Sequence, residues 1–454
     1  MRNIRTDFLK YTSLNIVAML GVSLYILADT YFIAKALGAT GLAALNFAIV
    51  IFMIMQGIGM MTGIGGVIDF GIRKSESDGT DNESFMNAVL AGIVLSVLFL
   101  LAGTVFSEQI SYFLGADEMT IRPTMTYMAT TCAFAPFFIF NSILLAFVRN
   151  DDNPSLPMAA MIISSFSNII LDYIFMFPLS MGIFGAAFAT GLSPVISILV
   201  LTVHFRGKAA GFGFSRFSPD IRRMKRIMFL GMPSLVNELA SSITLFTFNI
   251  VILKISGNVG VAAYGIIANA AIIATSLFSG LAQGMQPLVS ECFGQYDADG
   301  LKRLLRYGLI SSVSIAAAVY SAVFFFSGEI VSVFNSQGNE SLYMIAEYGI
   351  KIYFTGFVFA GINIVMASFF GSISYTAEAM MISVLRSCVI LIPAVLILSS
   401  AFQMTGVWIS FIATEFIVTV FAYYKSGGMN NEKIYYRERI LGSFSESEDR
   451  RDCV

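Results

Sequence analysis

KALGATGLAAL, residues 35–45, returns 219 positions later as KISGNVGVAAY, residues 254–264. The shift lays Lys35 on Lys254, Gly38 on Gly257, Gly41 on Gly260 and two alanines on two alanines, and it carries Gly65 onto Gly284 and Asp78 onto Asp297 without a gap. Further along, a shift of 222 brings Asn141 onto Asn363 and Phe147 onto Phe369, and one of 221 brings Gly185 onto Gly406. Each match alone is weak, but their order along the chain reads as one architecture built twice.

Composition says what is repeated. Of 454 residues, 57% are hydrophobic and 12% charged, and the mean hydropathy is +0.78, values that a soluble protein with one core does not reach. Apolar windows near the ~20 residues that cross a bilayer fall at 11–33, 45–68, 86–106, 124–147, 157–180 and 183–205, then at 230–253, 261–289, 306–327, 344–370, 379–400 and 404–424. The expected fold is an all-α polytopic membrane protein with 12 transmembrane helices in two six-helix bundles related by pseudo-two-fold symmetry. Six spans per repeat make both repeats enter from the same side, so the axis lies along the membrane normal. The expected divisions are an N-terminal bundle over 1–205, a basic linker over 206–226, a C-terminal bundle over 227–425 and a polar, disordered tail over 426–454. An amphipathic cytosolic helix is expected around Ile221–Met228.

Lys and Arg orient the chain. The linker holds Arg206, Lys208, Arg216, Arg222, Arg223, Lys225 and Arg226 against the single acid Asp220, and the N-terminus, Arg73–Lys74, Arg149 and Lys302–Arg303–Arg306 fall on the same side. The opposite loops hold Lys35, Arg122 and Lys254. The positive-inside rule then places both termini and the linker in the cytoplasm, with the protein in the cell's cytoplasmic membrane. Arg2, Arg5 and Lys10 precede the first apolar segment, but no small-residue cleavage site ends it, so a retained helix is expected rather than a signal peptide. The net charge of -2 gives no argument for nucleic acid, and Cys132, Cys292, Cys388 and Cys453 show no CxxC spacing. His204, the single histidine, is read as an interfacial side chain at a helix end.

Inside the apolar runs a few polar residues remain. In SNIILDYIFMF, residues 167–177, Asn168 and Asp172 stand at i and i+4 and share one helix face. With Asp29 and Thr190 they form the intramembrane polar set of the first half. A bare carboxylate at mid-membrane costs about 3 kcal/mol on insertion scales, and chains that keep one usually use it. Two carboxylates, an amide carbonyl and a hydroxyl are hard oxygen donors suited to Na⁺ or a shared proton. Two acids close together in a low dielectric repel, which makes a proton-loaded state accessible. A purely structural Asp, bonded to amide and hydroxyls between helices, is the competing reading.

DTYFIAKALGATGLAAL from Asp29, QPLVSECFG from Gln286, RNDDNP from Arg149, NIILD from Asn168, GIFGAAFAT from Gly182 and GMPS from Gly231 together resemble the multidrug and toxic compound extrusion (MATE) transporters. The resemblance runs over about residues 11–425 and is nearest to the DinF-like and MepA-like branches. It implies a first-lobe cation or proton site on Asp29, Asn168, Asp172 and Thr190. The sequence departs from many relatives in having Tyr173 where they have proline.

In the second half the 219 shift puts Phe248 at the place of Asp29, and the intramembrane charges are Glu238, Glu415 and Arg386. Glu238 reads either as a substrate-binding acid or as half of a structural pair with Arg386; Glu347 and Lys351 read as a structural i,i+4 pair. Candidate substrate-binding residues are Glu238, Gln56, Gln283, Gln286 and Glu415, the glutamines lying beside glycine-broken, repeat-related stretches at 60–66 and 279–287. The function expected is secondary active efflux of lipophilic or cationic small molecules in exchange for Na⁺ or H⁺ by alternating access. The alternative is a flippase for a lipid-linked precursor. No HExxH, P-loop or nucleophile motif speaks for an enzyme, and no cofactor beyond the coupling ion, no nucleic acid and no partner subunit is called for.

Overall fold

The computed structural model describes residues 4–76, 81–114, 116, 118–151, 153–206, 211–214, 219–335 and 339–427. Asp78, parts of the linker and the tail from 428 lie outside the described residues, as do some side chains within helices.

Among the described residues, ten helices are long and apolar enough to cross a membrane. They are α1 (Ile4–Gly38), α2 (Phe47–Lys74), α3 (Asn82–Val105), α5 (Ser155–Met176), α6 (Gly182–Arg206), α7 (Ile221–Gly257), α8 (Val259–Gly294), α9 (Ala298–Val333), α10 (Glu340–Ser372) and the stretch Thr376–Ser426. An eleventh span, α4, is the pair Ile121–Ala133 and Ala135–Asn150, bent by 49°. Thr376–Ser426, at 51 residues, would be far longer than the ~30 Å hydrocarbon layer. It breaks at Gln403 (φ 52°, ψ −134°) into α11 (376–402) and α12 (404–426), which completes twelve.

The repeat is visible in the backbone. Gly38 (φ 62°, ψ −150°) and Gly257 (φ 59°, ψ −155°) end α1 and α7 in the same conformation, one that side chains essentially forbid. The chain folds straight back. A methyl group on Gly41 would lie 3.2 Å from Ile33 Cγ2, and one on Gly260 would lie 2.9 Å from Ile252 Cγ2. Residues eight apart in one continuous helix would be separated by about 12 Å, so each glycine pair forms a helical hairpin without a loop. Likewise Gly182 (φ 59°) and Gln403 (φ 52°), 221 apart, carry positive φ before α6 and α12.

The two bundles meet on the side that carries the termini. There Phe8, Tyr11, Ile68 and Ile72 of the first half share one core with Leu230, Leu281, Phe369 and Val418 of the second. Glycines allow backbone contact: Gly284 of α8 lies on Tyr11 and Thr12 of α1, Gly280 on Asn15 and Ile16, Gly65 of α2 on Ile227 of α7, and Gly231 of α7 on Met61. Gly65 and Gly284 are the repeat-related pair, so α2 on α7 mirrors α8 on α1. Ion pairs fasten the same end: buried Asp69 of α2 lies 3.2 Å from both Arg73 and Arg226, and Arg223 lies 2.7 Å from Glu83. Toward the opposite end a methyl group on Gly265 of α8 would meet nothing within 4 Å. Outward-facing Leu98, Phe166, Leu199, Phe246, Phe325 and Ile397 are exposed, as a lipid-facing surface requires.

Three expectations gain detail. The 124–147 span is not one straight helix but breaks at Phe134, because Pro136 opens the second segment and cannot donate its backbone amide. The segment around Ile221–Met228 is not a separate helix: Asp220 caps it by accepting from Arg222 N (2.8 Å) and Arg223 N (3.2 Å), and it runs directly into α7. His204, read as an interfacial side chain at a helix end, lies in the turn that ends α6 and is buried there, 2.9 Å from Asp151 and stacked on Phe212 of the linker. Glu347 and Lys351 do pair, at 2.7 Å.

Candidate functional site: buried acids of the first bundle

α1, α5 and α6 bring the four predicted residues together. Asp29 is 7% exposed, Asn168 and Asp172 0% and Thr190 5%. Asn168 and Asp172 sit one turn apart on α5, and with the amide oriented to satisfy its neighbours, Asn168 donates to Asp172 Oδ2 at 3.2 Å. Its carbonyl oxygen accepts from Ser193 Oγ and from Thr190 N of α6, both at 3.3 Å. α6 can come this close to α4 because Gly191 leaves room for the Phe134 ring at the bend.

The bonding is incomplete. Asp29 Oδ1, Asp172 Oδ1 and Thr190 Oγ1 are buried with no hydrogen-bond partner, and so are Asn141 Oδ1 and Ser165 Oγ in the same bundle. Asp29 and Asp172 interact electrostatically. Tyr25, one turn before Asp29, and Tyr127 of α4 feel the field of both acids. Among the described residues no Lys, Arg or His pairs with either carboxylate. Buried carboxylate oxygens without donors carry a large desolvation cost that a bound cation or a proton would remove. The donor set of carboxylates, amide and hydroxyl suits a hard cation. No group of three or more His, Cys, Asp or Glu that could hold a metal ion occurs among the described residues.

Tyr25, Tyr127, Asn141, Ser165 and Ser193 were not singled out by the sequence reading as part of this set. Tyr25, at i,i+4 to Asp29, and Ser165 and Ser193, at i,i+3 to Asn168 and Thr190, carry a signal in their spacing; Tyr127 and Asn141 come from α4.

The second group of candidates divides. Half-buried Glu238 of α7 packs on Gly57 of α2, where a methyl group would lie 3.2 Å from Glu238 Cβ. Half-buried Gln56 precedes that glycine. Gln283 of α8 reaches Met19 Sδ of α1 at 3.9 Å, and Gln286 is buried. Glu238, Gln56 and Gln283 thus lie on the seam between the two bundles, beside the glycine contacts. Glu415 lies elsewhere, buried inside the second bundle. Its Oε1 accepts from Arg386 Nη2 (2.7 Å) and Nε (3.0 Å), and its Oε2 from Asn363 Nδ2 (2.7 Å). The partner of Arg386 is therefore Glu415 and not Glu238, correcting the pair considered from sequence.

The MatE family model matches residues 15–174 and 233–397. The multidrug export protein MepA of Staphylococcus saprophyticus is 25% identical over 402 residues, 88% of each chain, and that of Staphylococcus aureus strain MRSA252 is 25% identical over 395 residues, 86% of each. Among solved structures, a MATE in the straight conformation superposes with a TM-score of 0.89 at 20% identity, over 96% of this chain and 98% of the other. The outward-facing conformation of a multidrug resistance MATE family transporter gives 0.87 at 21% identity, over 96% and 97%. At such identities the structures speak for the fold.

Proposed function

The chain belongs to the MatE family, and from that membership we propose that it is a secondary active exporter which expels lipophilic or cationic small molecules as Na⁺ or H⁺ enters through the first bundle. The observation that carries the coupling is the pair of buried carboxylates, Asp29 and Asp172, with unpartnered oxygens and, among the described residues, no cationic partner. A site in that state favours the cation- or proton-loaded form, and loading changes which packing of α1, α5 and α6 is most stable. The neutral oxygens of Asn168 and Thr190 would complete the shell. The glycine contacts hold the bundles together on the termini side; in alternating access that closure opens as the bundles close on the other face. Glu238, Gln56 and Gln283, on the seam between the bundles, are the residues proposed to meet substrate; a half-buried acid attracts a cation more strongly than it would in bulk water. The flippase alternative gains nothing from the second bundle, where Arg386 is already neutralised by Glu415. The Lys and Arg distribution favours cytoplasmic termini in the cell membrane.

The test is efflux of an ethidium-type cation from proteoliposomes with Na⁺ and pH gradients imposed separately. Wild-type protein should follow one gradient. Asp172→Asn keeps the shape and removes the charge, so it should fold and lose gradient-driven efflux, while Thr190→Ala should weaken it less because water can replace a neutral ligand. Wild-type-like coupled transport by Asp172→Asn would refute the assignment.

A further inference from the structure

The second bundle has a polar centre that the transport reading leaves unused. Helix starts at Ser155 and Thr376, positive φ at Gly182 and Gln403, and Gly185 against Gly406 all fix a shift of 221 between α5–α6 and α11–α12. At that shift Thr190 corresponds to Phe411, Asn168 to Val389 and Asp172 to Pro393, while the 219 shift puts Phe248 at Asp29. Every member of the first-bundle set is thus apolar in the second. Aromatic rings fill the space: Phe248 stacks on Tyr264 (5.2 Å), and Phe411 on Tyr353 (4.2 Å).

The charge has moved toward the termini side. Arg386 stands where the first bundle has Ser165, Glu415 where it has Pro194, and Asn363 where it has Asn141. In the first bundle Ser165 Oγ and Asn141 Oδ1 are unpartnered. In the second the corresponding groups are closed on one another. Besides the Arg386 and Asn363 bonds to Glu415, Asn363 Nδ2 donates to the Glu415 carbonyl (2.9 Å), and Thr419 Oγ1 donates to Asn363 Oδ1 (3.1 Å). Arg386 lies in a single π-turn, Leu385–Val389, inside α11. Such one-residue insertions re-aim side chains and gather at functional sites.

We propose that Arg386 is a permanent counter-cation built into the second bundle, and that its guanidinium takes the place a mobile cation or proton would otherwise take beside Glu415. While it is present the second bundle binds no coupling ion. Without it, Glu415, Asn363 and Thr419 offer a carboxylate, an amide and a hydroxyl oxygen, the same hard-donor chemistry as the first bundle. Arg386 therefore confines coupling to one bundle, a role that rests on reading Asp29 and Asp172 as the coupling site.

The experiment uses the full chain in detergent and in proteoliposomes. In an Asp172→Asn background, the melting temperature against NaCl (balanced with choline chloride) and from pH 8 to 5.5 gives the baseline, because Asp29 and Glu238 remain ionisable there. Adding Arg386→Met should add a rise of several degrees with NaCl or with acid above that baseline, and adding Glu415→Gln as well should return it to the baseline. A folded Arg386→Met variant that does not depart from the baseline overturns the proposal. Should that variant not fold, Arg386→Met with Glu415→Gln in otherwise wild-type protein decides. It should fold and keep gradient-driven efflux within about twofold, since the second bundle then carries neither charge; loss of coupling, or failure to fold, overturns the proposal. Absence of any Na⁺ or pH dependence in wild-type transport would instead defeat the first-bundle reading.

Discussion

Replacing Gly284 by alanine should tip the protein away from closure on the side of its termini. The new methyl group would lie 2.6 Å from Thr12 Cα, 2.7 Å from Tyr11 O and 2.9 Å from Thr12 N, all backbone atoms that cannot swing aside. Ordinary contact begins at 3.4 Å, so α1 and α8 must separate by about 0.8 Å. Overpacking of this kind costs about 1–3 kcal/mol. The cost falls on the closed arrangement alone, because a state opened on that side parts these helices. The ratio of the two states should then shift by roughly 5- to 150-fold. Spin labels on exposed Ser155 of the first bundle and exposed Asp299 of the second, both near that face, would report it as a longer-distance population in double electron–electron resonance. Gly265→Ala, on the same helix with nothing within 4 Å, is the control and should leave the distances unchanged. A folded Gly284→Ala protein with wild-type distances and transport would refute the claim that this contact sets closure.

Asp69→Asn should destabilise by about 1–3 kcal/mol, less than loss of a fully buried pair because Arg226 is 42% exposed, and should lengthen the same label distances; unchanged melting and distances would count against an inter-bundle fastening. Gln403→Gly should raise thermal stability by about 1 kcal/mol, since φ 52° with ψ −134° strains any side chain; a lower melting temperature would mean that Gln403 makes contacts worth more than the strain. A cysteine at Gly213, where an added side chain would meet nothing within 4 Å, in a chain stripped of its own cysteines should react with an impermeant thiol reagent only after the membrane is opened; labelling of intact cells would invert the topology and the direction of transport.

The spans, the duplication and the first-bundle acids were legible because burial in lipid is unforgiving. Asp29 and Asp172 stand out in apolar runs, and only glycine tolerates the hairpin at Gly38 and Gly257. The Phe134 bend was legible too, through Pro136, but an apolar window does not register it. Pairing across helices was not legible. Arg386 had two acids available, Glu238 and Glu415, of similar sequence surroundings, and the π-turn that aims it leaves no mark in hydropathy. Nor did polarity alone distinguish His204 in water from His204 packed under Phe212 and bonded to Asp151.

The loop-free hairpins also bear on how the two halves have stayed in step. Where one glycine reverses the chain, an added residue would turn the following helix by about 100° about its own axis, swinging Gly65 or Gly284 out of contact with the opposite bundle. Such a joint tolerates substitution of neighbours but no change of length. The offset between the halves stays at 219 from Lys35 through Gly65, and only after the more forgiving connections further on does it drift to 221 and 222.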